Sequence, residues 1–570
     1  MCDTASLLSA LALHLVLTAL PLVAATLLAA RFGVRSVPVL LAVGLAGSGV
    51  VAMLAFWTYY ADPLIGKSFS YLIPLGSLLA IADCLHGGRL ERKLLSNLAT
   101  PLALWALGSA FLVFLGFLHG GTDEPLYMAP TRFSGVLPPD NMISGYFADW
   151  FFEHGHHGPP PAFPGDWLSS DRPPLQSGYF LLQRGFPWDT TGLHAQVLGV
   201  VLQQLWIVGL WALLIAARIG RVARGLTIVA ALLSGVAIVH GFFIWPKLLP
   251  AAFLLAAAAL LLTPLWSQLR GDRRAGVLVA SLLALALLGH GAGVFGVVPL
   301  VIVALFRGAP GWRWVAVGLV AGAVLLVPWA AYQKYADPPG NRLTKWMLGG
   351  AAKVDDRGTL DAIGDGYRGA GVEGTLDDKW NNFVTIGGGS PALDRLDEAG
   401  DALGDGDLSH AVVEVRALFF FQLFPSLGLL LLAPFAMAGA RARGRPDSPE
   451  WRFSLTCWAV VLIGCLAWGL LMFGGPESNA SIHVGSLLIP LLAICAAVTG
   501  LRAAFPRFAL WYVGISAALM SALYVPALEP LAGTGYSLVA ALLTATALAG
   551  FLAVAFRGRG ASAEANTLAR

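Results

Sequence analysis

The chain is 570 residues long, 57% hydrophobic and only 12% charged, with a formal net charge of +3 and a mean hydropathy of +0.72. Soluble globular chains carry about 25% charged residues, so this composition excludes an ordinary soluble enzyme. It also excludes a disordered chain, a collagen, a disulfide scaffold and a nucleic-acid binder that works through a basic face.

A membrane-spanning helix needs roughly 20 apolar residues. About fifteen such runs occur, near 6–30, 37–59, 68–84, 98–118, 195–217, 225–243, 247–265, 275–289, 292–306, 313–333, 413–438, 453–474, 484–500, 508–527 and 536–556. They predict an all-α polytopic membrane protein with 13–15 transmembrane helices. The first run lacks a basic leader and is too long for a signal peptide, so it reads as a helix. The runs around 275–306 are short and split by Gly291 and Gly293. Cys84, Cys457, Cys465 and Cys495 fall in or beside apolar runs and Cys2 is terminal. None forms a C-x-x-C pair, which argues against a metal knuckle or a disulfide framework.

Basic residues favour the cytoplasmic side of a membrane. Alternate connections hold Arg31/Arg35, Arg89/Arg92/Lys93, Arg218/Arg221/Arg224, Arg270/Arg273/Arg274, Arg307/Arg313, Arg441/Arg443/Arg445/Arg452, Arg502/Arg507 and Arg557/Arg559/Arg570, which is 22 of the 36 basic residues on one side. This predicts an outside N-terminus and a cytoplasmic C-terminus. The chain then divides into about four spans (1–118), an extracytoplasmic loop (119–194), about six spans (195–333), a second extracytoplasmic loop (334–412), and about five spans with a short tail (413–570). The two loops hold 22 of the 33 acidic residues. Loops of this length without evident secondary structure are usually functional.

In the first loop, Ile143, Tyr146, Phe147, Trp150 and Phe151 recur at helical spacing after Leu137-Pro138-Pro139-Asp140. This predicts an amphipathic helix at the membrane boundary, opened by Asp140, which equally suits a helix cap. Further on, Gly165-Asp166-Trp167-Leu168 leads to Asp171-Arg172-Pro173-Pro174-Leu175. Proline is tolerated in a first helical turn, so Asp171 also suits a cap.

These two segments resemble the first extracytoplasmic loop of GT-C glycosyltransferases, in the branch of protein O-mannosyltransferases and lipid A aminoarabinose transferases. There an acidic residue opens a juxtamembrane helix, and a Gly-Asp-Trp-like turn leads into Lys-Pro-Pro-Leu. Asp140 stands at the acidic position and Arg172-Pro173-Pro174-Leu175 at the basic–proline step. Asn141 replaces a frequent second carboxylate, Arg172 replaces the lysine, and about four helices precede the loop instead of one. The motif covers some 40 residues, and the multispan plan most of the chain.

The resemblance implies a GT-C-like fold and a sugar donor on a polyprenyl phosphate, with a glycan, lipid or protein acceptor arriving from outside. Transfer would be a direct displacement with inversion and would need one base. A lipid phosphate leaves without an acid, unlike the departing oxygen in glycoside hydrolysis. Asp140 is the candidate base, with Asp166, Asp171 and Asn141 as candidates for positioning or acceptor binding. Phosphate calls for cations, and Arg172, Lys247, Arg342 and Lys345 lie closest to the expected membrane boundary. Snorkelling or headgroup anchoring accounts equally well for the last three.

His290 and His483 lie near the ends of apolar runs, where ionisable groups are functional candidates, although helix packing is the commoner use of a lone histidine. Glu153, His154, His156 and His157 have the chemistry of a zinc or manganese site. No cofactor is expected with certainty, and a divalent cation would bind there. The Gly- and Asp-rich second loop lacks the repeated spacing of calcium sites and reads as a solvated lid. Two rival functions remain: a transporter or flippase of lipid-linked glycans, for which no internal repeat is visible, and a glycan polymerase or ligase working from the second loop. High Ala, Gly and Arg content fits a GC-rich bacterial genome, hence the bacterial cytoplasmic membrane. An arabinose donor is compatible with that setting, and no nucleic-acid partner is expected.

Overall fold

The computed structural model describes residues 4–86, 91–119, 124–134, 137–187, 192–442, 448–474, 487–526 and 535–557. His483 lies outside them, as do Arg89, Arg443, Arg445, Arg559 and Arg570 of the expected cytoplasmic set. Among the described residues every regular element is helical, and the only β contact is an isolated bridge between Phe163 and Trp167.

The chain opens with α1 (Thr4–Arg31), α2 (Val37–Ala61), α3 (Pro63–His86) and α4 (Arg92–Gly116). The first long loop holds α5 (Pro125–Thr131), α6 (Ile143–His154) and α7 (Leu175–Arg184). The central group is α8 (Leu193–Gln203), α9 (Trp206–Ala216), α10 (Arg221–Leu232), α11 (Gly235–Phe242), α12 (Leu248–Leu261), α13 (Trp266–Leu269), α14 (Arg273–Gly289), α15 (Val294–Phe306) and α16 (Trp312–Ala331). The second long loop carries α17 (Arg342–Gly349), α18 (Thr359–Ile386) and α19 (Gly389–Gly404). Then follow α20 (Leu408–Phe421), α21 (Ala433–Ala442), α22 (Pro449–Leu471), α23 (Leu488–Ala504), α24 (Pro506–Tyr524) and α25 (Leu538–Arg557).

Among the described residues ten helices are long and apolar enough to cross a membrane, or eleven if α10 and α11, bent by 54°, count as one span. The architecture is that of a multi-pass membrane protein. The remaining expected runs form the shorter α12, α14, α15 and α23. Their shortness has a local cause. Trp245-Pro246 separates α11 from α12, and His290-Gly291 separates α14 from α15. Both breaks turn polar groups toward the interior, where irregular backbone is tolerated because it is buried in protein. The run 413–438 is also interrupted. Pro425 supplies no backbone donor, and Gly428 adopts φ +53° inside the 3-10 stretch Pro425–Leu432.

The centre of the bundle is α12 with α8, α9 and α23, buried along their lengths. The second long loop is mostly helical. Its glycine content does not prevent this: Gly371, at φ +65°, sits at a kink within α18. The juxtamembrane α7 lies directly on α2, because a Cβ on Gly178 would collide with the Ala52 carbonyl oxygen. That close approach sets the height at which the chain enters α7.

Candidate functional site

Leu168 to Arg172 form a tight turn before α7. The Asp171 carboxylate accepts from the Leu168 backbone N–H (3.1 Å) and from the Arg342 backbone N–H (3.2 Å). Asp171 therefore closes the turn and ties it to the start of α17. Burial raises the Asp171 carboxyl above its ordinary value, opposed by those two donors and by the nearby arginines. Asp166 is exposed and adopts φ +59°, a left-handed conformation that aspartate tolerates better than most residues. Its contribution is its carbonyl, which with that of Gly165 accepts from Arg342 Nη1 at 3.1 and 3.0 Å.

The second loop completes the clamp. Asp337, 5% exposed, accepts from Ser169 Oγ at 2.6 Å and from the Ser170 N–H at 3.1 Å. Tyr332 shares a 2.6 Å hydrogen bond with the Ser169 hydroxyl, and Gln333 donates to the Ser170 carbonyl. Trp167 lies between two arginines, with the guanidinium carbons of Arg172 and Arg342 each 3.9 Å from its ring centroid.

Arg172 turns from that ring to Asp140. Its Nη2 donates to Asp140 Oδ2 at 2.9 Å, with the side chains 9% and 13% exposed. This ion pair brings the two segments of the first long loop together. A few residues away, Lys247 Nζ and His290 Nε2 are 2.6 Å apart and both side chains are buried. Lys247 also sits 3.6 Å from the centroid of Trp245. Burial pushes both groups well below their ordinary values, reinforced by neighbouring cations. Both lie in interhelical turns, at the two breaks that shorten α12 and α14.

A hydrogen-bond chain fixes Lys247 relative to the first loop. Gln176 in α7 donates to the Ile244 carbonyl and accepts from Gln203 Nε2 at 2.9 Å. Gln203 Oε1 then accepts from the backbone N–H groups of Leu248 and Leu249 at 2.9 and 3.1 Å. These are two first-turn donors of α12 that have no partner within the helix.

Asp140, Arg172, Lys247, His290 and Arg342 line one cavity of about 270 Å³. Its remaining wall is aromatic and apolar: Trp167, Trp245 and Trp346, with Phe295, Met347, Trp468 and Met472. Arg172 Nε and Trp245 Nε1 are buried donors without a hydrogen-bond partner, as expected of a site that receives an acceptor-rich ligand. One end of this cavity can neutralise an anion, one carboxylate can take a proton, and the rest can hold an apolar body.

Other expected residues lie elsewhere. Lys345 is buried but directs its ammonium to the Asp355 carbonyl and does not line the cavity. Asn141 is held by the Leu126 carbonyl at 2.8 Å. The histidine cluster is dispersed: His154 stacks on Trp150 with centroids 4.0 Å apart, and His156 bonds to the Ala61 carbonyl. Among the described residues, the one group whose metal-binding atoms converge is Glu398, His410 and Glu414, and there Arg395 already pairs with Glu414 at 2.6 Å. Glu153, His154, His156 and His157 are not such a group: His156 and His157 lie against each other with ring centroids 4.4 Å apart, while His154, at the end of α6, is taken up by Trp150.

Sequence reasoning missed Gln203, Asp337, Trp245 and Trp468. A polar glutamine inside an otherwise apolar run was the available signal for Gln203. Comparison with protein-family models, with curated proteins and with solved structures finds no match for this chain.

Proposed function

We propose that the protein is a membrane-embedded glycosyltransferase of GT-C type, which moves a sugar from a polyprenyl phosphate to an extracytoplasmic acceptor with inversion. The observation that carries the reading is the convergence of Asp140, Arg172, Lys247 and His290 on one largely apolar cavity. The cations suit the phosphate, and the indole rings suit a sugar face. Phe295, Met347, Trp468 and Met472 suit the first isoprene units of the lipid. Asp140 takes the acceptor hydroxyl proton as the anomeric bond to the phosphate breaks. No second carboxyl lines the cavity among the described residues, and none is needed, because a phosphate departs without protonation. The volume suits one sugar ring with its phosphate better than an oligosaccharide, since pockets for larger ligands run to several hundred Å³ or more.

The test is transfer by the purified protein in lipid nanodiscs, supplied with a panel of radiolabelled polyprenyl-phosphate monosaccharides. Asp140→Asn is expected to lower transfer by about 10²–10⁴-fold, the usual weight of a general base, with folding unchanged. Transfer near the wild-type rate in that variant rules out Asp140 as the base. Movement of a lipid-linked sugar across the bilayer without transfer favours a flippase.

A further inference from the structure

The charges around the cavity are arranged in pairs. Arg172 is bound to Asp140 at 2.9 Å, and both side chains are largely shielded from water, so salt and solvent screen the pair weakly. Trp167 lies against the guanidinium at 3.9 Å, and Trp245 lies 5.9 Å away. Arg172 therefore has little freedom to swing toward a ligand while keeping these contacts. Arg342 is already engaged by the carbonyls of Gly165, Asp166 and Ala352. Lys247 Nζ and His290 Nε2 are 2.6 Å apart, and His290 Nδ1 accepts from the Ala292 N–H, so a neutral ring carries its proton on Nε2, facing the lysine nitrogen. With Asp140 ionised, the first pair is neutral, and Arg342 leaves the cavity lining with a positive charge that no carboxylate of the lining offsets. A phosphodiester, with its one negative charge, meets a lining whose free charge is positive.

Resting on the glycosyltransferase reading, we propose that the Asp140–Arg172 pair is a charge switch that couples proton capture by the base to stabilisation of the leaving phosphate. The acceptor oxygen forms its bond to the anomeric carbon, and its proton passes to the Asp140 carboxylate. The bond between that carbon and the phosphate oxygen breaks, leaving its electron pair on the phosphate. Before the step, Asp140 is −1, Arg172 +1 and the diester −1. Afterwards Asp140 is neutral, Arg172 +1 and the phosphate monoester −2, so the total is conserved. Arg172 loses its counter-charge in the same step that gives the phosphate its second one. It needs only the in-plane donors it already presents, Nη2 and the unpartnered Nε. The site thereby holds the donor diester through the Lys247–His290 pair and the monoester product through Arg172 as well. Product leaves when Asp140 returns its proton to water.

The test uses the full chain in nanodiscs and two probes, farnesyl phosphate (a monoester) and farnesyl methyl phosphate (a diester), with affinity read by calorimetry at pH 7.5. Asp140→Asn imitates the protonated carboxyl. It is expected to bind the monoester about tenfold tighter than wild type, the weight of one hydrogen bond to a charged group, with a smaller change for the diester. The double variant Asp140→Asn/Arg172→Gln should lose that gain. Asp140→Ser removes the same charge and makes the same comparison should the asparagine variant unfold. Wild-type binding of the monoester with no gain in either Asp140 variant overturns the switch and leaves the phosphate site standing. Failure of wild type to bind either probe overturns the phosphate site itself, and the switch with it.

Discussion

Ser169 and Asp337, 168 positions apart in the sequence, are joined by a 2.6 Å hydrogen bond that locks the first long loop to the second. Asp337 is almost wholly buried, and its remaining donor is the Ser170 N–H. Ser169→Ala should therefore cost about 1–3 kcal/mol, the penalty for an under-satisfied buried polar group. The expected signature is faster amide exchange over 165–172 and 337–346 in hydrogen-exchange mass spectrometry, with the membrane helices unaffected. Unchanged exchange in both segments would show that the latch contributes nothing.

Trp167 is the common support of two cations. Replacing it with leucine removes both ring contacts, each worth about 0.5–2 kcal/mol, and frees Arg172 and Arg342 to reorient. The expected result is roughly tenfold weaker binding of a farnesyl phosphate probe, with little change in unfolding temperature. Trp167→Phe should recover part of the affinity, because a smaller aromatic face remains.

Gln203 bonds to Gln176 and to the first two N–H groups of α12. Hydrogen bonds between membrane helices are worth about 1–2 kcal/mol at most in typical measurements. Gln203→Leu should lower thermal stability by about that amount and weaken phosphate binding by displacing Lys247. An unaltered affinity in this variant would show that the turn holds its place without the glutamine.

Lys247 and His290 also imply a pH dependence. Burial, then the positive charge of neighbouring groups, holds both below their ordinary values; Arg172 adds to this at each, and Asp140 opposes it at Lys247. A bound phosphate favours the protonated forms, so it raises both and its binding takes up a proton. Affinity for a prenyl phosphodiester, whose own charge is constant near neutrality, should therefore increase as pH falls through the range between the free and the bound values of these two groups. It should weaken as pH rises. Calorimetry in buffers of differing ionisation enthalpy measures the proton uptake directly, and His290→Gln should flatten the profile.

The parts of this site visible in the sequence were those that broke its dominant rule. Asp140, Arg172, Lys247, His290 and Arg342 are ionisable groups beside apolar runs in a chain with few charges, and all five line the cavity. The groups that hold the surrounding turns in place were not visible. Asp337 was one of fourteen acids in its loop, and nothing local distinguishes the one that meets Ser169. Lys345 has the same chemistry and nearly the same address as Arg342, yet the Asp355 carbonyl engages it. The apolar helices were legible because hydropathy marks them, whereas the polar helices α17, α18 and α19 were not. The lengths of the apolar helices were less legible, because Pro246, His290 and Pro425 cut runs whose average hydropathy stays high.

The cavity walls run from Asp140 to Met472 in the sequence, with contributions from both long loops, both helix breaks and the end of α22. During synthesis no chain that ends before Met472 possesses the whole lining. The ribosome must deliver most of the polypeptide before the cavity has all its walls. A chain truncated before Met472 consequently lacks part of the lining, and completion of the cavity is tied to the arrival of α22 beside both long loops.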